Sequence, residues 1–314
     1  MAGTAKGIAV YIGGVEVVSP VLTGDMEENS KQIKKVCSRL TNLGQHVSER
    51  CGGHIHIGSD YLTTVESWTN LIEIWGNTEE ILYTISNKAG EIPREGLEEF
   101  ASPISGNFEE LLNSGTVNLQ DENDLKEFAK SSQTSRYYGI NFTNLGNERN
   151  TIEFRLSNGT LDPKTWIENI NLFGGIIRAS EDLAMIQLKA EEGRTDDEKK
   201  LLDNFNKLKD SKLSNEEKLE AMLSIVISEE DKDVYRTRYK ENSRLIEQNP
   251  RVKEALKRKS AKSSVDVKKV AKKIFMGSDR VTGPMYNSVK HDIENKLQIS
   301  NYNVKENNIN ITRD

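Results

Sequence analysis

The chain has 314 residues, enough for one large domain or two modest ones, and it carries a formal net charge of −6. Hydrophobic residues make up 35% of it and charged residues 29%, which excludes collagen-like and wholly disordered classes and indicates some surface-rich helix. No run approaches the roughly 20 apolar residues of a membrane-spanning helix. The first ten residues lack the long apolar stretch of a secretory signal, so a cytoplasmic location is expected, with Cys37 and Cys51 as free thiols.

The charge is unevenly distributed. The segment from Arg251 to Lys273 contains ten basic residues and only two acidic ones, Glu254 and Asp266. Its local charge is therefore +8, which leaves −14 for the rest of the chain. We interpret segment 251–273 first as a solvated helix face, because no aromatic residue interleaves its lysines. A segment that binds nucleic acid or an acidic partner remains the alternative.

The first part of the chain predicts strands on either side of one helix. Residues 8–22 predict two strands around a Gly-Gly turn, with Glu16 on the second strand. Asp25 is predicted as the N-cap of a helix over 27–43, where apolar residues recur at helical spacing. The strand that follows contains His54 and His56, and the two-residue period of a strand places both on one face.

A long amphipathic pattern covers residues 63–87 and predicts one or two helices, broken near Gly76. Glu79 and Glu80 are expected on its solvated face. The aromatic stripe of this pattern is expected in the core: Trp68, Trp75 and Tyr83.

Residues 137–145 and 151–156 are two strand-like runs separated by the turn-rich GNERN, which predicts an antiparallel hairpin. In the second run Glu153 and Arg155 share one face. Asp162 then caps a helix that has proline at its first position.

The composition changes after residue 190, where aromatic residues become scarce and charged residues abundant. The sequence therefore predicts a first domain over 1–190 and a charged, mostly helical extension over 191–314, whose Asn-rich end is frayed or an edge strand.

Several chemically active residues fall on predicted strands of the first domain: Glu16, His54, His56, Arg136, Glu153 and Arg155. Singly, each is more typical of a solvated face or a cross-strand ion pair. Together, two carboxylates and imidazoles suit a divalent cation carrying phosphates, and two arginines suit phosphate oxygens.

The same residues carry a resemblance to a known family. CGGHIHIG, followed by RYYGINF and TIEFRLSNGTLDP, resembles the amidoligase family of glutamine-synthetase-like carboxylate–amine ligases over roughly residues 13–180. The resemblance implies an α+β fold with a curved antiparallel sheet around a funnel. It also implies ATP and Mg²⁺ (or Mn²⁺) as cofactors and a small amino-acid or peptide substrate.

The resemblance also implies residue roles. Glu16, His54 and Glu153 would be metal ligands. His56, Arg136 and Arg155 would face the nucleotide phosphates or an acyl phosphate as catalytic and cofactor-binding groups. Asn141 would position the nucleotide or the substrate. The implied reaction is amide-bond formation between a carboxylate and an amine through an acyl phosphate.

The chain departs from the family in one respect. The family has a Gly-x-Glu-x-Glu strand that supplies further metal ligands, and nothing of that form precedes Glu16. Two other functions therefore stay open. One is a metal-dependent hydrolase that turns over without nucleotide, and the other is a non-catalytic ligase-like scaffold or binding protein.

Overall fold

The computed structural model describes residues 16–23, 25–117 and 119–269. Three strands form an antiparallel sheet in the order β1-β3-β2. The strands are β1 (Gly52–Gly58), β2 (Ile140–Asn141) and β3 (Thr151–Asn158). The α+β class is confirmed, and so is the antiparallel pairing of the predicted hairpin, although β2 is only two residues long.

Ten α-helices lie in the described ranges of the chain. They are α1 (Met26–Asn42), α2 (Val65–Ile85), α3 (Leu97–Phe100), α4 (Ser105–Ser114), α5 (Glu122–Ser131), α6 (Pro163–Leu188), α7 (Asp196–Leu208), α8 (Asn215–Val226), α9 (Lys232–Glu247) and α10 (Pro250–Lys257). Two predicted caps are confirmed, because Asp25 accepts from Glu28 N and Asp162 accepts from Lys164 N. Across these ranges no helix is both long enough and apolar enough to cross a bilayer.

Helix α2 is the centre of the core. It packs mainly against α6, and Trp68, Trp75 and Tyr83 are fully buried, as the sequence predicts. Phe154 of β3 stacks on Phe173 of α6 with ring centroids 4.7 Å apart, which attaches one face of the sheet to this helix layer. The opposite face of the sheet carries the polar residues described below.

The predicted break in α2 is wrong, since the helix runs unbroken through Gly76. A Cβ at this position would lie 2.8 Å from the side chain of Val265, so the glycine admits a distant segment to the helix surface. The side chain of Asn77 fixes that segment, because its Nδ2 donates to Val265 O (2.7 Å) and its Oδ1 accepts from Val265 N (3.0 Å).

Helices α7 to α10 pack on the same hydrophobic cluster as α2 and α6. Arg238 of α9 is 2% exposed, and it donates to Ile85 O and Asn169 Oδ1 and pairs with Glu168.

The domain boundary near 191 stays a prediction, as does a partner for segment 251–273. The Asn-rich tail lies outside the described residues.

Candidate active site

The polar face of the sheet is built by strand alternation. Gly52, His54 and His56 follow one another at two-residue intervals on β1, and His56 lies directly opposite Glu153 of β3. The register shifts by one residue between Gly53 and Ile55, so Arg155 and Leu156 of β3 lie opposite the single residue His54. This is a β-bulge, with one extra residue on β3.

Glu153 is the centre of this face and is only 5% exposed. Its Oε1 accepts from Arg155 Nη1 at 2.6 Å, and its Oε2 accepts from Asn141 Nδ2 at 2.7 Å. The amide of Asn141 is itself oriented, because its Oδ1 accepts from Thr143 N at 2.9 Å. Both carboxylate oxygens are therefore held in place by side chains of the hairpin.

Burial by itself would raise the pKa of Glu153. The hydrogen bond from Asn141 and the charge of Arg155 outweigh this effect and hold the pKa below its ordinary value. Glu153 is thus an ionised carboxylate at neutral pH.

Both predicted histidines face this carboxylate. His54 Nδ1 lies 3.3 Å from Glu153 Oε1, and His56 Nε2 lies 3.5 Å from the same oxygen. Burial, with the nearby charge of Arg155, lowers the pKa of His54 to about 4, so the ring is neutral at pH 7. A neutral ring that faces a carboxylate oxygen carries its proton on Nδ1, which leaves the Nε2 lone pair of His54 able to bind a metal.

Arg136 and Tyr137 form the exposed rim of the site. The guanidinium of Arg136 lies 5.2 Å from the centre of the Tyr137 ring, and that of Arg155 lies 5.6 Å from it. Arg136 was predicted on a strand, but it lies in a bend before β2. The bend leaves the arginine exposed to solvent, where it can meet an incoming anion.

Glu16 was also predicted on a strand, and this is wrong for the described part of that segment, because residues 16–23 form no strand. Residues 8–15 lie outside the described residues. Glu16 still belongs to the neighbourhood of the site. The pKa of Arg136 is raised mainly by its hydrogen bond to Tyr137, and the negative charges of Glu153 and Glu16 contribute to the same shift.

The family comparison agrees with this geometry. Residues 4–177, more than half of the chain, match the family model described as "Putative amidoligase enzyme". The chain belongs to the amidoligase family. Comparison with curated proteins and with solved structures gives no match. Family membership supports ligase activity in general, and every residue of the site described here lies within the matched range.

The amidoligase site offers two of its three predicted metal ligands next to each other. In the parts of the chain that the structure describes, no group of three or more His, Cys, Asp and Glu residues is arranged to hold a metal ion. A neutral imidazole and an ionised carboxylate nevertheless fit a divalent ion, and Mg²⁺ is commonly held by one or two protein groups together with substrate phosphates. The roles of Glu16, His54 and Glu153 as ligands therefore stay predictions.

Arg94 also belongs to the site, and no sequence motif predicts it. This residue is 5% exposed, and its positive charge is among the causes of the low pKa of His54. It lies in the segment before α3, where no motif is recognisable. The available signal was Gly52 in CGGHIHIG, because a glycine at a strand position that should carry a site side chain indicates that another group lies there.

The low pKa of His54 predicts how stability depends on pH. The unfolded chain binds a proton at His54 near pH 6.5 and the folded chain only near pH 4. Lowering the pH from 6.5 to 4 should therefore reduce the free energy of unfolding by about 2–3 kcal/mol through this group. We expect His54→Asn to remove that part of the pH dependence in urea denaturation.

The control for this experiment is His46→Asn, because His46 is exposed in the loop before β1. Its pH profile should match that of the wild type. An unchanged profile in His54→Asn would contradict the assignment of a neutral, half-buried imidazole.

Proposed function

We propose that this amidoligase forms an amide bond between a carboxylate and an amine in a reaction that depends on ATP and on Mg²⁺ or Mn²⁺. The substrates would be amino acids or small peptides, and the sheet would be the core of a glutamine-synthetase-like fold. One observation carries the proposal. On a single sheet face, an ionised glutamate is surrounded by a neutral histidine and an arginine, with a second arginine at the exposed rim.

Metal ions would be held by His54 through Nε2 and by Glu153. His54 Nδ1 faces Glu153 Oε1 and Nε2 lies on the far edge of the ring, so the two groups would hold separate ions. Among the described hydrogen bonds, Glu153 Oε2 accepts only from Asn141, and this oxygen has a second lone pair. Glu16 would complete the ligand set from the rim. When bound, the metal ions would neutralise phosphate charge during phosphoryl transfer.

The arginines would serve the transferred phosphoryl group. A substrate carboxylate oxygen attacks the γ-phosphorus of ATP, the bond to the β–γ bridging oxygen breaks, and ADP leaves. Arg136 is exposed and can close on the nucleotide, whereas Arg155 is held beside Glu153 in a fixed orientation. Fixed positive charge near an oxygen that gains negative charge is the main source of catalysis in phosphoryl transfer.

The second step of the proposed reaction, the attack of the amine on the acyl phosphate, needs a group that accepts a proton. The amine nitrogen attacks the acyl carbon, phosphate leaves, and the nitrogen loses a proton. His56 suits this role because it is partly exposed beside Glu153 and its Nδ1 lies 3.3 Å from Thr151 Oγ1. A positioned imidazole is an efficient proton acceptor in general acid–base catalysis.

Binding of ATP tests the proposal most directly. We expect calorimetry to show binding of ATP with Mg²⁺ to the wild type and a loss of at least about tenfold in affinity for His54→Ala, because one metal ligand is removed. His46→Ala is the matched control and should bind as the wild type does. Equal affinity in His54→Ala would contradict the role of His54 as a metal ligand.

Chemical trapping separates the ligase from its alternatives. Hydroxylamine converts an acyl phosphate to a hydroxamate, so a panel of amino acids and short peptides should yield hydroxamate only with ATP. Turnover of an amide without nucleotide would instead identify a hydrolase. Absence of both nucleotide binding and turnover in the full chain would identify a scaffold.

A further inference from the structure

Another buried arginine, Arg94, lies beside Arg155 at the end of the polar sheet face. It precedes α3 in the chain and is 5% exposed, and the roles assigned above do not include it. Its backbone is fixed by a hydrogen bond from Arg94 N to Asn158 Oδ1 at 2.8 Å. The amide of Asn158 also donates to Ile92 O at 2.9 Å, so the end of β3 anchors the segment that carries the arginine.

The guanidinium of Arg94 takes the place of a side chain on β1. A Cβ built on Gly52 would lie 1.6 Å from Arg94 Nη1 and 2.5 Å from its Cζ, so any other residue here would force the guanidinium out of this position. Gly52 is two residues before His54, so the guanidinium lies on the same face as the two histidines. The glycine is therefore required by the arginine and not by a turn.

The same guanidinium bridges two backbone carbonyls of the β-bulge. Its Nη2 donates to Arg155 O and its Nη1 donates to Ser157 O, both at 3.2 Å. These two carbonyls flank Leu156, at the position where the extra residue of β3 disturbs the regular ladder with β1. One planar group with several donors satisfies both oxygens, which the single ammonium of a lysine cannot do in the same geometry.

We propose that Arg94 is a positioning residue of the amidoligase site, which fixes the β-bulge and thereby directs His54 and Arg155 towards Glu153. The inference rests on the function proposed above. The described hydrogen bonds of the Arg94 guanidinium go to backbone carbonyls, so its charge is not neutralised by a carboxylate there. It therefore also adds positive charge to a face that receives phosphate.

Two substitutions at Arg94 test the proposal. Arg94→Met removes the donors and the charge, and Arg94→Lys keeps the charge without the paired hydrogen bonds. We expect both to weaken binding of ATP with Mg²⁺ at least tenfold in calorimetry, whereas Arg149→Met, at an exposed arginine, should bind as the wild type does. Affinity equal to that of the wild type in Arg94→Lys would overturn the positioning role.

A double-mutant cycle gives an independent test. Gly52→Ala should weaken binding as much as Arg94→Met, because the new methyl group displaces the guanidinium. Combining the two should add little further loss, since the methyl group then meets no guanidinium. Losses that add in the double variant would show that Gly52 and Arg94 act separately.

A spectroscopic measurement separates this inference from the proposed function. The chain has four histidines, so their imidazole ¹⁵N resonances can be assigned at fixed pH. Arg94→Lys should shift the resonances of His54 and leave those of His46 unchanged. If the wild type fails to bind ATP with Mg²⁺, the proposed function fails, and the His54 resonances still decide the role of Arg94. Unchanged His54 resonances would overturn it.

Discussion

Replacing Glu153 by glutamine should lower the rate of amide formation about a thousandfold, because the variant loses the charge around which the site is built. The same change should lower the free energy of unfolding by about 3 kcal/mol, since it removes the charged partner of the buried Arg155. A glutamine also has a single oxygen, whereas the carboxylate accepts from both Arg155 and Asn141. Urea denaturation and a coupled assay for ADP release measure the two effects.

The controls separate stability from catalysis. Glu148→Gln changes an exposed carboxylate in the preceding turn and should be neutral in both assays. Glu153→Gln combined with Arg155→Met removes both charges, so it should recover much of the lost stability while remaining inactive. A stable and active Glu153→Gln enzyme would contradict the central role of this carboxylate.

The largest effect on stability alone is expected for Glu79→Ala. Glu79 is 2% exposed, and its carboxylate accepts from Trp75 Nε1 and from the backbone N–H groups of Ile104 and Ser105, at 2.8–3.0 Å. The latter two groups begin α4, whose N-cap residue makes no side-chain capping bond. Glu79 therefore caps that helix from α2.

Removing this carboxylate leaves three buried donors without their acceptor, so the free energy of unfolding should fall by at least about 3 kcal/mol. Thermal and urea unfolding measure the loss. Glu80→Ala is the matched control, because Glu80 is the next residue of the same helix and is exposed. Similar unfolding of the two variants would show that the cap is unimportant.

Much of the site was predictable because strand periodicity is local. The two-residue spacing of His54 and His56, and of Glu153 and Arg155, already places each pair on one face of its strand, and the structure brings the two pairs together. Asn141 joins them because β2 pairs with β3, which places Asn141 opposite Glu153. The resemblance to the amidoligases implied that these distant strands share one sheet and one site, and only the structure showed that they pair directly.

The predictions that failed concern residues whose environment comes from distant segments. Glu79 was expected on a solvated face, but α4 begins against it and buries it. Gly76 was expected to break α2, but Val265 packs on it. In both cases helical spacing was identified correctly, and the element that covers the helix surface was unknown because it comes from elsewhere in the chain.

Local patterns in the amino-acid sequence were sufficient for the helix caps at Asp25 and Asp162, for the faces of β1 and β3, and for the family to which the chain belongs. Only the tertiary structure showed that Arg94 lies over Gly52 and that Glu79 caps α4. The physical reason is the range of the interactions. Caps and strand faces depend on neighbours within a few residues, whereas a buried charge is placed by whichever distant donors and acceptors the packed chain brings to it.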